Sequence, residues 1–452
     1  MESATDLRHL LENGHRLFGT DGVRGEAGTE LTAELALAIG RAAGSVLSAG
    51  HVVIGRDTRR SGPMLSAAIQ AGFHSVGANT IDIGIATSGA ISYLTGALDA
   101  GMGVVVSASH NPAPDNGIKL LGPGGRKLKD AAEDEVEQLV RLGVGTRARG
   151  GAVGTDHPGV DANTRYLDWL TGLAENRFEG LSVMVDAANG AASFVGPELF
   201  RRLGADVAAI GNKPDGLNIN DGVGATNPET LAAAAGGRIG LAFDGDADRL
   251  IAVDEDGEIV DGDVIMAIVA RHLDGVGRLR NRTVVSTVMS NVGLERSLGE
   301  VGIELVRTKV GDRYVVEAMD EHDAVLGGEQ SGHILFRDDA ATGDGLLTAV
   351  RLLDVMMSSG SELRELRATT IRQYPQVLQN VRVARGIKLD DASAVWSEVK
   401  AIEAELGDEG RVFLRPSGTE PLIRVMVESA VLEDAQRHAD RLCLVVESEL
   451  AR

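Results

Sequence analysis

Along most of this 452-residue chain, segments with apolar residues at helical spacing alternate with short, continuous apolar runs. Residues 31–47 carry apolar side chains at helical spacing, which predicts a helix, and the apolar run 51–55 predicts a short buried strand. The same order returns at once, with a helix predicted over 61–76, a strand over 79–84, a helix over 90–98 and a strand over 101–108. Strands that alternate with helices at this spacing are typical of βαβ units and of a parallel or mixed sheet.

The alternation continues through the middle of the chain with two further sets of strands. Residues 181–190 predict a strand that runs into a loop, followed by a helix to Leu203 and a strand near Val207. Residues 238–249 predict a strand that ends in an acidic loop. A third set of strands, each ending in a polar loop rich in glycine, covers 283–291, 303–312 and 323–332. Repeats of this size are consistent with several domains of ordinary length.

The pattern changes after Gln373, where strands and helices no longer alternate singly. Strands are predicted over 377–384, 411–416 and 422–429, and helices over 392–406 and 432–450, which indicates an α+β domain with an antiparallel sheet. Glycine-rich or polar stretches at 143–159, 254–257 and 358–361 supply candidate boundaries. We therefore predict an α/β fold of three related domains with mixed sheets, 1–156, 157–256 and 257–370, followed by a smaller C-terminal domain, 371–452.

Composition restricts the class of protein. Acidic residues exceed lysine and arginine by 22, which excludes a nucleic-acid binder that relies on a general basic surface. The single cysteine, Cys443, excludes an internal disulfide, and its apolar surroundings in sequence predict a buried structural thiol. No apolar run of about 18 residues predicts a membrane span, and residues 1–16 lack the apolar segment of a signal peptide. We expect a cytoplasmic protein that binds neither membranes nor nucleic acid.

The unusual polar residues fall just after predicted strands, where open α/β sheets bind their ligands. Residues 104–120, VVVSASHNPAPDNGIKL, place Ser107, Ser109 and Lys119 in a loop beyond a buried strand. A serine there could act as a nucleophile or a phosphate carrier, with Lys119 as a cation or proton donor. A hydrogen-bonded loop of Ser and Asn residues is the alternative interpretation.

Residues 243–249, FDGDADR, form the acidic loop. Asp244, Asp246 and Asp248 occupy alternate positions, and Arg249 follows them. Three carboxylates this close repel one another unless a cation lies between them, and hard oxygen ligands favour Mg²⁺. A solvated acidic turn is the alternative. We predict one Mg²⁺ site in this loop.

Two further glycine-rich loops carry polar or charged residues, and one of them could bind a sugar. The segment GGEQSGH (327–333) presents Glu329 and Ser331, which can bind sugar hydroxyls or an amine. His333 in the same segment could serve as an acid or base near neutral pH. The segment FGTDGVRG (18–25) brings Arg24 among glycines, where a surface turn is the simpler interpretation.

The segment RPSGTEPLIR (415–424) resembles a phosphate-binding loop. Arg415 and Arg424 can make bidentate contacts with phosphate oxygens. Ser417, Gly418 and Thr419 supply hydroxyl groups and closely approaching backbone N–H groups. A serine, three carboxylates, a sugar loop and an arginine-lined phosphate loop together fit phosphoryl transfer between a serine and a phosphosugar.

Four of these motifs resemble those of the α-D-phosphohexomutase family over nearly the whole chain. They are SASHNP, DGDADR, GEQSGH and RPSGTEP, and their order and spacing match as well. The resemblance implies four domains around a central cleft, three related α/β domains and a smaller C-terminal one. It also implies a phosphoserine relay on a hexose phosphate, with Mg²⁺ as the cofactor and a sugar 1,6-bisphosphate as intermediate and activator.

The resemblance further implies a role for each motif residue. Ser109 would be the phosphorylated serine, and its phosphate would complete the Mg²⁺ site of Asp244, Asp246 and Asp248. Arg24, Lys119 and His333 would lie near the transferring phosphate, and the sequence does not apportion acid and base roles among them. The residues implied to bind substrate are Arg249, Lys309, Glu329, Ser331, Arg415, Ser417, Gly418, Thr419 and Arg424.

The implied substrate is glucosamine 6-phosphate, converted reversibly to glucosamine 1-phosphate. Gln330 favours the amino sugar, whereas Pro416 weakens that inference, because RPSGTEP also occurs in mutases of broader specificity. Mannose and glucose phosphates are therefore the closest alternative substrates. Alternatives of another class are a phosphosugar-binding protein without activity and a metal-dependent phosphatase. We expect a small-molecule phosphosugar partner and a monomer or homodimer.

Overall fold

The computed structural model describes residues 16–19, 21–47, 50–143, 147–159, 161–384, 389–416 and 421–450. These residues divide into two compact units. The first unit contains the chain up to Val288 together with Val306–Ala368. The second unit contains Met289–Leu305 together with the chain from Thr369 onwards. Each unit is described by itself below.

The first sheet of the first unit has six strands in the order β1-β5-β4-β2-β3-β6. These are β1 (Val23–Glu26), β2 (His51–Arg56), β3 (Asn79–Ile85), β4 (Met102–Val106), β5 (Asp115–Leu121) and β6 (Asp156–Pro158), with helices α1 (Ala33–Leu47), α2 (Gly62–His74), α3 (Ser88–Ala97) and α4 (Asp130–Leu142). Strands β2, β3, β4 and β6 are parallel, and β5 runs antiparallel to both of its neighbours, β4 and β1. The predicted mixed sheet is confirmed.

The second sheet has the order β11-β10-β9-β7-β8. Its strands are β7 (Ser182–Asp186), β8 (Asp206–Ile210), β9 (Ile239–Phe243), β10 (Leu250–Val253) and β11 (Ile259–Val260), with helices α5 (Ala162–Leu173), α6 (Ala192–Arg202) and α7 (Pro228–Ala235). Strands β7, β8 and β9 are parallel and fully or partly buried, as expected for a sheet that is covered by helices. The acidic loop leaves β9 at its carboxyl end.

The third sheet has the order β13-β12-β14-β15. Its strands are β12 (Thr283–Thr287), β13 (Glu304–Thr308), β14 (Leu326–Gly328) and β15 (Ile334–Phe336), and the helices of this part of the chain are α8 (Gly262–Gly275), α9 (Val292–Gly299), α10 (Asp312–Glu321), α11 (Gly345–Ser359) and α12 (Leu363–Thr370). Helix α11 is buried over most of its length, and the side chain of Asp344 caps it by accepting from two backbone N–H groups.

The C-terminal sheet has the order β16-β18-β17, and all its pairs are antiparallel. Its strands are β16 (Gln376–Arg382), β17 (Gly410–Pro416) and β18 (Leu422–Ser429), and its helices are α13 (Ser393–Leu406) and α14 (Leu432–Leu450). This confirms the predicted small α+β domain. Cys443 lies in its apolar core, as predicted, and burial raises the pKa of the thiol to about 11.

Three strands of the first sheet, β1, β5 and β6, were not predicted from the sequence. Residues 115–121 form β5, so the prediction that Lys119 lies in a loop is wrong. The segment begins with Asp115, Asn116 and Gly117, which favour turns, and it becomes a strand because it pairs with β4 on one side and β1 on the other. Among the described helices, none has both the length and the apolar character that a membrane span requires.

Candidate active site

Ser109 lies in the loop that follows β4 and is almost completely buried. Its φ of 51° is in the left-handed region, which is uncommon for a residue other than glycine and is concentrated at functional sites. The hydroxyl donates to Asp244 Oδ2 at 2.5 Å, and the backbone N–H donates to Ser107 Oγ at 2.9 Å. His110 places Nδ1 at 3.3 Å from the same hydroxyl. The fold therefore aims the Ser109 hydroxyl at the acidic loop.

A buried ion pair holds the Ser109 loop in this conformation. Arg59 and Asp57 are fully buried, with Nε donating to Oδ2 at 2.8 Å. The guanidinium of Arg59 also donates to the carbonyl oxygens of Ser109 at 3.0 Å and Asn111 at 2.7 Å. Ser107 Oγ donates to Asp57 at 2.6 Å. These two charged residues were missed from the sequence, although their place just after β2 is a signal that could have found them.

The acidic loop joins β9 to β10 and brings three carboxylates together. Oxygen atoms of Asp244, Asp246 and Asp248 lie within 4.8 Å of one another. A Cβ on Gly245 would lie only 2.4 Å from the carbonyl oxygen of Ser109, so glycine is required for the two loops to approach this closely. We call the three aspartates the carboxylate cluster.

Lys119 supplies the main positive charge beside this cluster. From β5 its Nζ lies 3.1 Å from Asp246, 3.5 Å from Asp248 and 3.1 Å from Asp21. Burial alone would lower the pKa of Lys119, but the three carboxylates raise it well above its usual value. Asp21, which was also missed from the sequence, has its pKa lowered to about 2 because Lys119 and Arg24 outweigh its burial.

The three aspartates differ in their electrostatics. Burial raises the pKa of Asp244 well above its usual value, and Asp248 and Asp246 raise it further. Burial acts in the same direction on Asp248, yet Lys119 and His333 lower its pKa well below the ordinary value. Arg249 also lowers the pKa of both aspartates, yet the pKa of Asp244 stays well above its usual value. A cation bound between the carboxylates would stabilise the charged form of Asp244.

The oxygen atoms of the carboxylate cluster fit a divalent cation. Oδ1 of Asp246 and Oδ1 of Asp248 are buried and accept no hydrogen bond from any described residue. Arg249 Nε lies 3.9 Å from Asp248 Oδ1, beyond hydrogen-bond distance, so both oxygens keep the capacity to bind a cation. Hard oxygen ligands suit Mg²⁺ or a similar ion.

His333 contacts the same cluster, and Arg24 reaches it only through Asp21, which pairs with Lys119. Arg24, on β1, forms an ion pair with Asp21, and its Nη1 lies 3.4 Å from Asn111 Oδ1. His333 is buried with Nδ1 at 3.6 Å from Asp248 Oδ2. Burial lowers the pKa of His333, but Asp248 outweighs it and raises the value to about 9. The fold therefore brings Arg24 to the Ser109 loop and His333 to the carboxylate cluster, and their predicted roles at a transferring phosphate stay predictions.

The predicted sugar loop lies between β14 and β15. Glu329 accepts from the backbone N–H of Gly311 at 3.1 Å, and Ser331 is exposed. Arg249 follows the carboxylate cluster, and its backbone N–H donates to Asp244 at 3.2 Å. Lys309 is exposed, and its Nζ lies 5.9 Å from the centre of the Tyr314 ring.

Two of the predicted phosphate ligands lie in the second unit. Arg415 on β17 and Arg424 on β18 are directly opposite each other, so their side chains share one face of the sheet. Burial and the neighbouring Arg424 lower the pKa of Arg415. Both Nε atoms are buried and donate to no described residue. The predicted ligands Ser417, Gly418 and Thr419 lie outside the described residues. We call Arg415 and Arg424 the arginine pair.

Sequence models of four domains of phosphoglucomutase/phosphomannomutase match the chain in order. The α/β/α domains I, II and III match residues 15–143, 164–257 and 261–374, and the C-terminal domain matches 378–445. The matches leave only short segments uncovered.

Curated relatives of this chain are named phosphoglucosamine mutase. The protein of Thermobifida fusca is 52% identical over 450 residues, which cover 96% of this chain and 99% of that protein. The protein of Mycobacterium marinum is 50% identical over 433 residues, covering 94% and 97%.

Solved structures share the fold at lower identity. A phosphoglucomutase/phosphomannomutase family protein of Burkholderia thailandensis has a TM-score of 0.80 at 24% identity and covers 97% of this chain and 99% of that one. The N-acetylphosphoglucosamine mutase of Aspergillus fumigatus, solved with GlcNAc-6P and magnesium, has a TM-score of 0.72 at 20% identity, with coverage of 99% and 100%.

Proposed function

Because the chain belongs to the phosphoglucomutase/phosphomannomutase family of α-D-phosphohexomutases, we propose that it interconverts glucosamine 6-phosphate and glucosamine 1-phosphate. The relay would use a phosphorylated Ser109 and a glucosamine 1,6-bisphosphate intermediate. The observation that carries the proposal is the buried Ser109 hydroxyl, which lies 2.5 Å from Asp244 in a cluster of three carboxylates. The chain shares 52% and 48% of its aligned residues with two proteins named phosphoglucosamine mutase, and this similarity supports the choice of sugar.

The proposed relay exchanges one P–O bond for another in each half. The C1 hydroxyl oxygen of glucosamine 6-phosphate attacks the phosphorus on Ser109, the bond from phosphorus to Oγ breaks, and the hydroxyl proton passes to a base. The bisphosphate then turns round without leaving. Oγ of Ser109 attacks the phosphorus at C6, and the C6 oxygen leaves and takes up a proton. Glucosamine 1-phosphate and the phosphorylated enzyme result.

The cluster residues would control the charge that develops in this exchange. Asp244, Asp246 and Asp248 would hold Mg²⁺, which would supply positive charge to stabilise the transferring group. Lys119 and His333 contact the cluster and Arg24 contacts Asn111 of the Ser109 loop, and all three would stabilise that group as it moves. Which of these three residues transfers protons stays open.

The other predicted residues would bind the parts of the sugar phosphate that do not react. Glu329 and Ser331 would bind the amino and hydroxyl groups of the sugar, with Arg249 and Lys309 as further contacts. The arginine pair would bind the phosphate that is not transferred, together with Ser417, Gly418 and Thr419. This part of the proposal is supported by the position of Arg415 beside Arg424, because a bound anion would balance their two positive charges.

Several finer predictions accompany this function. We propose one Mg²⁺ per chain, activation by a sugar 1,6-bisphosphate, a cytoplasmic location, and a monomer or homodimer. The domain ranges 1–156, 157–256, 257–370 and 371–452 stay predictions as well.

The test compares turnover of glucosamine 6-phosphate, mannose 6-phosphate and glucose 6-phosphate with Mg²⁺ and a trace of the matching bisphosphate. A preference of about tenfold or more in kcat/KM for the amino sugar is expected, roughly 1.4 kcal/mol of discrimination. Equal or better use of mannose or glucose phosphate would make the chain a general hexose phosphomutase instead. Release of inorganic phosphate in place of isomerisation would identify a phosphatase.

A further inference from the structure

Ser88, the first residue of α3, makes two hydrogen bonds to one member of the carboxylate cluster. Its hydroxyl donates to Asp246 Oδ2 at 2.7 Å, and its backbone N–H donates to the Asp246 carbonyl oxygen at 2.9 Å. Both residues are buried. The contact joins positions 158 residues apart, which explains why no local motif reveals it.

These bonds divide the two oxygens of the Asp246 carboxylate into different roles. Oδ2 accepts from Ser88 and from Lys119, the latter at 3.1 Å. Oδ1 is buried and accepts from no described residue. A carboxylate that is fixed through one oxygen presents the other in a single direction, which is how residues around metal ligands orient them.

The position of Ser88 does not depend on the Asp246 carboxylate alone, because other contacts also fix the surrounding turn. Thr87 caps α3 by accepting from the Ala90 N–H at 3.1 Å. Gly89 leaves room for Asp344, since a Cβ there would lie 2.0 Å from Asp344 Oδ2. That carboxylate in turn accepts from the Tyr166 hydroxyl at 2.7 Å and caps α11. The Ser88 hydroxyl is therefore held in place before any cation binds.

The start of α3 adds a second favourable contribution. The unpaired N–H groups and the dipole at a helix N-terminus favour a neighbouring carboxylate. Ser88 places both its N–H and its hydroxyl on Asp246 at this end of the helix. These two contacts hold Asp246 in one orientation.

We propose that Ser88 is a positioning residue for the metal ion, because its hydroxyl holds Asp246 so that Oδ1 faces the cation. The inference rests on the proposed function only for the presence of a cation at the carboxylate cluster. Loss of such an outer contact weakens metal affinity by about 10–100-fold. The same loss is expected for Ser88→Ala, with little change in the transition-state chemistry once the metal site is saturated.

The experiment measures binding of Mn²⁺ by electron paramagnetic resonance to the full-length chain without sugar phosphate. Mn²⁺ prefers the same oxygen ligands as Mg²⁺ and is visible directly. Ser88→Ala should raise the Kd about 10–100-fold, whereas Ser88→Thr, which keeps the hydroxyl, should retain most of the affinity. In Ser88→Ala, turnover should recover to within a few-fold of wild type as Mg²⁺ is raised.

Ser92→Ala is the matched control. Ser92 is buried on the same helix one turn further on, and its hydroxyl donates to the Gly125 carbonyl at 2.8 Å instead of to the cluster. We expect wild-type Mn²⁺ affinity for this variant. Should Ser88→Ala fail to fold, Ser88→Cys keeps a group of similar shape with a poor donor, and the same loss is expected.

The outcomes separate this inference from the proposed function. Wild-type Mn²⁺ affinity in Ser88→Ala would overturn the role of Ser88 while the metal site stands. An equal loss in Ser92→Ala would assign the effect to α3 in general and would also overturn it. A wild-type chain that binds no Mn²⁺ would overturn the metal site itself, and with it both proposals.

Discussion

The carboxylate cluster and the arginine pair both bring like charges together, but they balance those charges differently. Asp244, Asp246 and Asp248 are buried beside a lysine, a histidine and two serine hydroxyls that the fold supplies. The arginine pair is half-buried on two neighbouring strands, and its Nε atoms donate to no described residue. The first region is organised before a ligand arrives, whereas the second needs an anion to relieve its own repulsion. We therefore expect the first to govern chemistry and stability, and the second to govern binding.

The largest expected effect follows from removing the hydroxyl that points at the carboxylate cluster. Ser109→Ala should lower kcat by about 10⁴-fold or more, because no phosphoserine can form. Mass spectrometry after incubation with a sugar 1,6-bisphosphate should find phosphoserine in the wild-type chain and in Ser107→Ala, but not in Ser109→Ala. Phosphate on Ser107 of the variant, or near-normal turnover without phosphoserine, would contradict the relay.

The next effect tests whether the cluster depends on its built-in cation. With a metal chelator present, Lys119→Met should lower the free energy of unfolding by about 3–5 kcal/mol. The reason is that the buried carboxylates of the cluster lose the ammonium group that pairs with them. Added Mg²⁺ should restore part of that loss. The control is Lys127→Met, which removes a partly exposed ion pair with Asp312 and should cost less than about 1 kcal/mol. Equal losses in the two variants would show that the cluster needs no internal counter-charge.

Asp344 shows how a buried carboxylate behaves when no lysine lies beside it. Burial raises its pKa to about 6, against the opposing hydrogen bonds from Tyr166 and the backbone of α11. A raised pKa means that the folded state binds the proton more tightly than the unfolded chain. This stabilising contribution is complete below the ordinary value of 3.8 and is lost as the pH rises through about 6.

Urea unfolding of the wild-type chain and of Asp344→Asn as a function of pH measures this contribution. From about pH 3.5 to pH 7, the wild-type free energy of unfolding should fall relative to the variant by about 3 kcal/mol. Parallel curves would mean that burial does not shift the pKa of Asp344. The contrast with Asp248, whose pKa Lys119 and His333 lower, would then lose its basis.

The smallest effect concerns the arginine pair. Arg415→Gln should raise KM for the sugar phosphate about 10–100-fold, since a charge-assisted hydrogen bond contributes about 1.5–3 kcal/mol. Stability should stay the same or rise by up to about 0.5 kcal/mol, because like charges on facing strands repel. Arg382→Gln, an exposed change on β16 of the same sheet, should alter neither quantity. A loss of stability in Arg415→Gln would show that the pair is already balanced within the fold.

The elements that could be predicted from the sequence are those whose own residues carry a full helical or strand pattern. Residues 432–450 repeat apolar positions at helical spacing, and the helix has those bounds. Strand β5 was missed because its first three residues favour a turn and because only its partners β1 and β4 make it a strand. Local pattern is sufficient where packing agrees with it, and it fails where pairing over long distances decides.

The same division applies to the site. Asp244, Asp246 and Asp248 were predicted because they stand together in sequence. Ser88 and Arg59 were not, because each acquires its partners through the fold, Ser88 across 158 residues and Arg59 across about 50. The left-handed φ of Ser109 also leaves no trace in residue type, since such a conformation usually selects glycine.

The contacts of helix α9 determine when the second unit can fold during synthesis. Val292 at its start donates to Glu428 at 3.0 Å, and Asn291 donates to the Tyr374 carbonyl at 2.8 Å. These partners follow 136 and 83 residues later, so a ribosome delivers Glu428 roughly 7–27 seconds after α9. The second unit can therefore close only after Glu428 has been synthesised. A nascent chain that stalls in that interval lacks the Glu428 partner of Val292 and leaves the second unit incomplete.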